Sequence, residues 1–264
     1  MKRLGKQITW LKCSLVALTI CVVAWPRQAF GYRPFDLTDA DVADNGEFEL
    51  ELGPVGYLRE GREKFLIVPA MIFNFGIADD REIVLEGKVE KPISDSQEGT
   101  RTGLVDAGLF IKQVLKRGAL QDATGPSIAT EYGLLLPGIN QDPGVGASLA
   151  GIFSQRWAYA TLHLNTAAAY TREHRGDLLL GGILEGPYHW QLRPAMEVFG
   201  ENEEGQPWTV SGLLGLIWRE TDDLSFDFGV RVARASNQGV LEIRAGFTWS
   251  FPYRRWHDGG KKDI

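Results

Sequence analysis

From Glu47 to Phe251 the chain repeatedly alternates apolar with polar or small residues at a period of two. The clearest run is the last one, where Leu241, Ile243, Ala245, Phe247, Trp249 and Phe251 interleave with Glu242, Arg244, Gly246, Thr248 and Ser250. Successive side chains of a β-strand point to opposite faces. One face of this strand is therefore apolar and the other polar. The preceding run repeats it, with Leu224, Phe226, Phe228, Val230 and Val232 set against Ser225, Asp227, Gly229, Arg231 and Ala233. Earlier runs follow suit: Trp190, Leu192, Met196 and Val198 against Gln191, Arg193 and Glu197; Ile83, Leu85 and Val89 against Glu82, Glu86, Lys88 and Glu90; Phe48, Leu50 and Leu52 against Glu47, Glu49 and Glu51. In the run from Trp157 the apolar face is Ala158, Ala160, Leu162 and Leu164, which sends Trp157, Tyr159, Thr161, His163 and Asn165 inward.

Counted this way, the pattern predicts strands near 47–57, 65–75, 82–91, 102–115, 126–136, 146–154, 157–170, 178–185, 188–199, 208–219, 224–234 and 240–251. Strands of about ten residues, apolar outward and polar inward, are the signature of a transmembrane antiparallel β-barrel, because lipid offers backbone groups no partner and the sheet must close on itself. Twelve is an even number, so both ends return to the periplasmic side and long outer loops alternate with short inner turns. The inner set includes Gln155-Arg156, Gly186-Pro187 and Glu220 to Asp223; the outer set includes Pro92 to Arg101, Pro137 to Val145 and Gly200 to Pro207. Two connections fit this scheme poorly: Lys116 to Gly125 is long for an inner turn, and Ala235 to Gly239 is short for an outer loop. A soluble β-sandwich also alternates, but it does not call for Trp208, Trp218, Trp249 and Phe251 near strand ends, as interfacial girdles do.

The ends of the chain agree with export to a Gram-negative outer membrane. Lys2, Arg3, Lys6 and Lys12 precede an apolar stretch from Cys13 to Trp25 and then the small-residue pattern Ala29-Phe30-Gly31, the layout of a signal peptide spanning residues 1–31. That apolar stretch is shorter than the roughly 20 residues a membrane helix needs. Ile20 before Cys21 and Lys12 before Cys13 argue against a lipid-modified cysteine. Both cysteines lie in the leader, so disulfides do not stabilise the mature chain. That chain carries 23 basic against 34 acidic side chains, which argues against a nucleic-acid partner. The expected organisation is a periplasmic N-terminal segment at 32–46, the barrel at 47–251 and a basic periplasmic tail at 252–264. The expected partners are outer-membrane lipid, the barrel assembly machinery and a small permeant that the sequence does not identify.

The chain also resembles the meta-pathway phenol-degradation family of outer-membrane transporters. The likeness rests on Arg33-Pro34-Phe35 running into Asp39 and Asp41, on Gly46-Glu47-Phe48-Glu49-Leu50-Glu51, on Leu134-Leu135-Leu136-Pro137-Gly138, and on Thr161-Leu162-His163-Leu164-Asn165. It implies a barrel that passes small apolar or aromatic compounds, and no chemistry. Among the residues read as lumenal, Arg193, Glu197, Asp227, Arg231, Glu242 and Arg244 carry most charge. They can act as a salt-bridged plug that satisfies buried charges or as a polar constriction. His163 and Asn165 invite comparison with the Ser, His and Asn set of outer-membrane phospholipases, but the serine expected two residues after the histidine is Asn165, and both residues should face inward. His163 thus reads as a lumenal hydrogen-bonding residue, and His174, His189 and His257 have no evident serine or acid partner. Asp36, Asp39, Asp41 and Asp44 lack the spacing of a calcium loop and read as a solvated lead-in, at most a small plug in the barrel mouth. Glu201, Glu203 and Glu204 read as exposed outer loop. No phosphate-binding loop, cofactor pattern or CxxC metal pattern is present. The expectation is therefore a passive channel and not an enzyme. A non-conducting, partner-binding barrel is the alternative, and a lipid-active barrel enzyme the third possibility.

Overall fold

A computed structural model describes residues 33–93, 101–140, 143–235 and 238–253. The leader at 1–31 and the tail beyond Tyr253 lie outside the described residues. Twelve strands form one closed antiparallel barrel: β1 (Glu47–Glu60), β2 (Glu63–Ala78), β3 (Arg81–Pro92), β4 (Gly103–Lys116), β5 (Ser127–Leu135), β6 (Gly146–Arg156), β7 (Thr161–Tyr170), β8 (Gly176–Glu185), β9 (Leu192–Glu203), β10 (Thr209–Arg219), β11 (Leu224–Ala235) and β12 (Gln238–Pro252). Each strand pairs with its sequence neighbour. β1 closes on β12 from Glu47↔Pro252 to Glu60↔Val240, with one irregularity between Leu52 and Val55. Full closure leaves no unpaired sheet edge.

The alternation read from the sequence sorts the two faces. Leu192, Met196, Val198, Leu214, Leu216, Phe228 and Ile243 are exposed on the outside, while Glu49, Glu51, Lys112, His163, Glu197, Asp227 and Glu242 are buried inside. At the end where β1 begins and β12 finishes the outer surface holds an aromatic band. Trp218 packs on Phe226, Phe226 on Phe247, Trp249 on Phe251, Phe251 on Phe48 and Phe48 on Phe75, with centroid distances of 4.8–6.4 Å. Amphipathic rings favour the level of the lipid headgroups, so this band marks one membrane interface.

Three expectations are corrected. Trp157 and Tyr159 do not point into the lumen: β7 starts at Thr161, and the two rings stack at 6.2 Å in the turn before it, with Tyr159 73% exposed. The backbone turns as the Trp157 amide donates to the Ala160 carbonyl, so the period of two does not extend back to Trp157. Similarly β9 begins at Leu192, which leaves Trp190 in the turn where its amide bonds to the Pro187 carbonyl. The gain at the other end is larger. β9 runs on to Glu203 and β10 begins at Thr209, so Glu201 and Glu203 belong to a strand and line the lumen and are not exposed outer loop. The long connection after Lys116 folds back as a 3-10 turn, Ala119–Gln121, whose Leu120 packs with Ala129 and Ile152 inside the barrel end.

Candidate functional site

The lumen contains part of the chain itself. Residues 33–44, expected to be a solvated lead-in, lie inside the barrel and are held by side chains of seven strands. Inward polar residues that had no evident partner in the sequence find one here. Glu197 on β9 accepts the amides of Asp36 (3.0 Å) and Leu37 (2.8 Å). Asn165 on β7 accepts from the Thr38 amide at 3.2 Å and donates to its carbonyl at 2.7 Å. Ser154 on β6 accepts from the Ala40 amide at 3.0 Å, and Glu82 on β3 from the Ala43 amide at 2.6 Å. Lys112 on β4 donates to the Thr38 hydroxyl (3.1 Å) and pairs with Asp39 (3.0 Å). Gln121, in the turn after β4, donates to the Ala40 carbonyl and to Asp41. At the far end Arg33 pairs with Asp227 on β11 at 3.3 Å, and Arg244 on β12 donates to the Pro34 carbonyl and to Asp36.

Apolar contacts fix the same segment. Phe35 and Leu37 are buried against Ile183, Phe199, Leu213 and Ile217 of β8–β10, and Ala40 against Leu120, Ala129 and Ile152. Burying a Phe or Leu side chain contributes about 1.5–3 kcal/mol. Hydrogen bonds to charged groups, of which Glu197, Glu82, Lys112 and Arg244 supply several, add about 1.5–3 kcal/mol each. The wall is also cut to shape. A Cβ on Gly53 would stand 2.7 Å from the Arg33 guanidinium, one on Gly215 would stand 2.9 Å from the Pro34 ring, and one on Gly76 would overlap the carbonyl oxygen of Asp44. Gly76→Ala is therefore expected to leave the barrel closed but push residues 43–46 off the wall. A single cysteine placed at Thr38 should then react faster with a maleimide than in the parent, and an unchanged rate would show that the groove is not what seats the segment.

The sequence-read cluster is divided by this arrangement. Arg231 and Arg244 both reach Glu242, at 3.0 and 2.6 Å, and both reach Asp36 of the segment, at 3.5 and 3.0 Å. Glu197 and Asp227 serve the segment, as above, while Arg193 turns to Glu185 on β8 at 3.5 Å. His163 and Asn165 are buried side by side on the inner face of β7. His163 has partners the sequence did not reveal: Ser154 Oγ stands 2.7 Å from Nδ1, and Glu185 Oε1 3.4 Å from Nε2. The ring thus bridges the two groups, with Nδ1 toward the Ser154 hydroxyl and Nε2 toward the Glu185 carboxylate. Serine, histidine and carboxylate are the ingredients of a hydrolytic triad, which is recognised by geometry. Here Ser154 is fully buried, and the Ala40 amide donates to the oxygen a nucleophile would use. The chain from Ala40 through Ser154, His163 and Glu185 to Arg193 works as a seat for the segment.

Asp41 gives the seat a pH response. The lumen wall removes its carboxyl from water and Asp39 stands beside it, and together these push its pKa up to about 7 against the opposing pull of Gln121 and Lys112. A carboxyl whose pKa is higher in the seated state favours seating while protonated. That contribution falls as pH rises from the ordinary carboxylate range through about 7. Divided by the rate for a freely exposed cysteine, which removes the rise of the thiolate itself with pH, maleimide labelling of a cysteine at Thr38 should accelerate across this window in the parent and stay level in Asp41→Asn. Equal pH profiles would remove Asp41 from the account.

Beside the segment remains a cavity of about 610 Å³. Its lining carries fourteen carboxylates against five basic side chains. Glu201 and Glu203 are among them, and the sequence hid them because a Gly-Glu-Asn-Glu-Glu stretch reads as loop when the strand that contains it is undervalued. Among the described residues no group of His, Cys, Asp or Glu is placed to hold a metal ion.

No family model matches the chain, and no curated protein matches it. Solved structures do. An outer membrane channel from Pseudomonas putida F1 superposes with a TM-score of 0.58 at 10% identity, covering 82% of this chain and all of the other (100%). The KdgM porin in complex with disordered oligogalacturonate gives 0.49 at 12% identity, over 78% of this chain and 99% of that one. At 10% identity the likeness to the Pseudomonas channel is one of fold: a closed barrel of the outer-membrane kind.

Proposed function

We propose that this chain is a pore of the Gram-negative outer membrane, with both ends at the periplasmic face, and that residues 33–46 close the half of its lumen nearest that face. Small solutes pass when the segment shifts. The observation that carries this reading is a segment held largely by side-chain contacts to the wall, next to a hydrated-size cavity, inside a barrel whose outer surface suits lipid. A wall built only for stability would place apolar or mutually paired groups inside, since breaking even one buried ion pair is costly. This wall instead spends Glu197, Asp227, Asn165, Ser154 and Glu82 on an internal strap. The charged lining also favours polar solutes over the apolar ones that the family resemblance implies.

The test is single-channel recording of the refolded protein in planar bilayers, beside a variant with Arg193, Arg231 and Arg244 replaced together by serine. The parent should show brief openings. The variant releases Asp36 and the Pro34 carbonyl, so its open time should lengthen. Silence in both, with heat-modifiable migration showing a folded barrel, would overturn the pore reading in favour of a closed barrel that binds a partner through its loops.

A further inference from the structure

We infer that the lumen selects for small cations, an inference that rests on the pore reading and adds the class of solute. Carboxylates come from all sides of the barrel: Glu51 on β1, Glu86 on β3, Glu131 on β5, Asp177 on β8, Glu201 on β9 and Glu242 on β12 all line the cavity. The basic residues of the same lining are each committed to a fixed partner. Lys88 lies 2.8 Å from Asp106, Lys112 3.0 Å from Asp39, Arg244 2.6 Å from Glu242 and Arg33 3.3 Å from Asp227. Arg172, the fifth, donates to the carbonyls of Leu136 and Ala107 at 2.7 Å. Every lining cation is thus held in place by an acceptor, while the carboxylates outnumber them almost threefold.

The excess survives opening. When the segment leaves it takes Asp36, Asp39, Asp41 and Arg33 with it, and the rest of this lining still carries eleven carboxylates against four basic groups. Charges of one sign on facing low-dielectric walls focus the field on whatever lies between them. The Debye length is about 10 Å at 0.1 M salt, comparable to the width of a cavity of about 610 Å³. Facing carboxylates therefore act on an ion together rather than being screened one by one. Rings of Asp and Glu are the usual device for cation preference in channels.

Reversal potentials in a steep potassium chloride gradient test this on two refolded proteins, the full mature chain and one that begins at Gly46. Both should favour potassium over chloride several-fold, and replacing Glu86, Glu131 and Glu201 together by glutamine should bring the ratio down toward unity. Current with no preference, or with chloride preferred, overturns the inference and leaves the pore reading standing. No current from the folded, shortened barrel overturns the pore reading and the inference with it.

Discussion

A barrel that begins at Gly46, lacking residues 33–45, is expected to conduct steadily where the full chain opens only briefly, with a unit conductance several-fold higher. The segment is the largest body inside the lumen, and its removal clears the contacts to β3, β4, β6, β7, β9, β11 and β12 in one step. The barrel itself should survive. Its closing seam between β1 and β12 runs from Glu47 to Glu60 and does not depend on the segment. The side chains released by deletion, Glu197, Asp227, Lys112 and Ser154, would face a water-filled lumen and be hydrated rather than stranded. The pocket of Ile183, Phe199, Leu213 and Ile217 would lose Phe35 and Leu37, so a lower melting temperature should accompany the open state. Planar-bilayer recording together with heat-modifiable migration on gels measures both. Unchanged conductance from a folded, shortened barrel would show that the segment is not the closure.

The second large effect is expected at the pair formed by Arg33 and Asp227, whose side chains are 9% and 3% exposed. Asp227→Ala leaves a guanidinium buried with no carboxylate beside it, and removal of one partner from a buried pair costs about 3–5 kcal/mol. Only the seated state bears that cost, because an unseated Arg33 returns to water. At about 1.4 kcal/mol per tenfold, the ratio of seated to unseated segment should fall by more than roughly a hundredfold. From residue 33 onward the chain has no cysteine, so in a protein that begins there maleimide labelling at a cysteine introduced in place of Thr38 reads that ratio directly. Replacing both partners, as Arg33→Met with Asp227→Leu, should restore slow labelling, since an apolar pair of similar bulk avoids the stranded charge. If the single variant labels no faster than the parent, the ion pair does not hold the segment. If the double variant stays as open as the single one, the loss has another cause.

The arrangement also links two of the four sequence motifs that carried the family resemblance. Arg33-Pro34-Phe35 with Asp39 and Asp41 forms the strap, and the strand containing His163 and Asn165 forms part of its seat, with Asn165 bonded to both the backbone N–H and the backbone C=O of Thr38. Read along the chain these were a solvated lead-in and a lumenal strand, 127 residues apart.

By itself the sequence determined the local part of this protein: twelve strands, their inward and outward faces, the even count that returns both ends to one side, and the closed sheet that such faces require. Those properties follow from a period of two and from the need to satisfy backbone groups in lipid, both of which act over about ten residues at a time. The tertiary structure decided what fills the lumen. Arg33 meets Asp227 across 194 residues, Leu37 meets Glu197 across 160, and Glu185 reaches the histidine that holds Ser154. Alternation says only that each of these points inward. Which inward groups meet depends on closure of β1 on β12, on where glycines such as Gly53, Gly76 and Gly215 leave room, and on an N-terminal segment whose own polar pattern carries no period to place it.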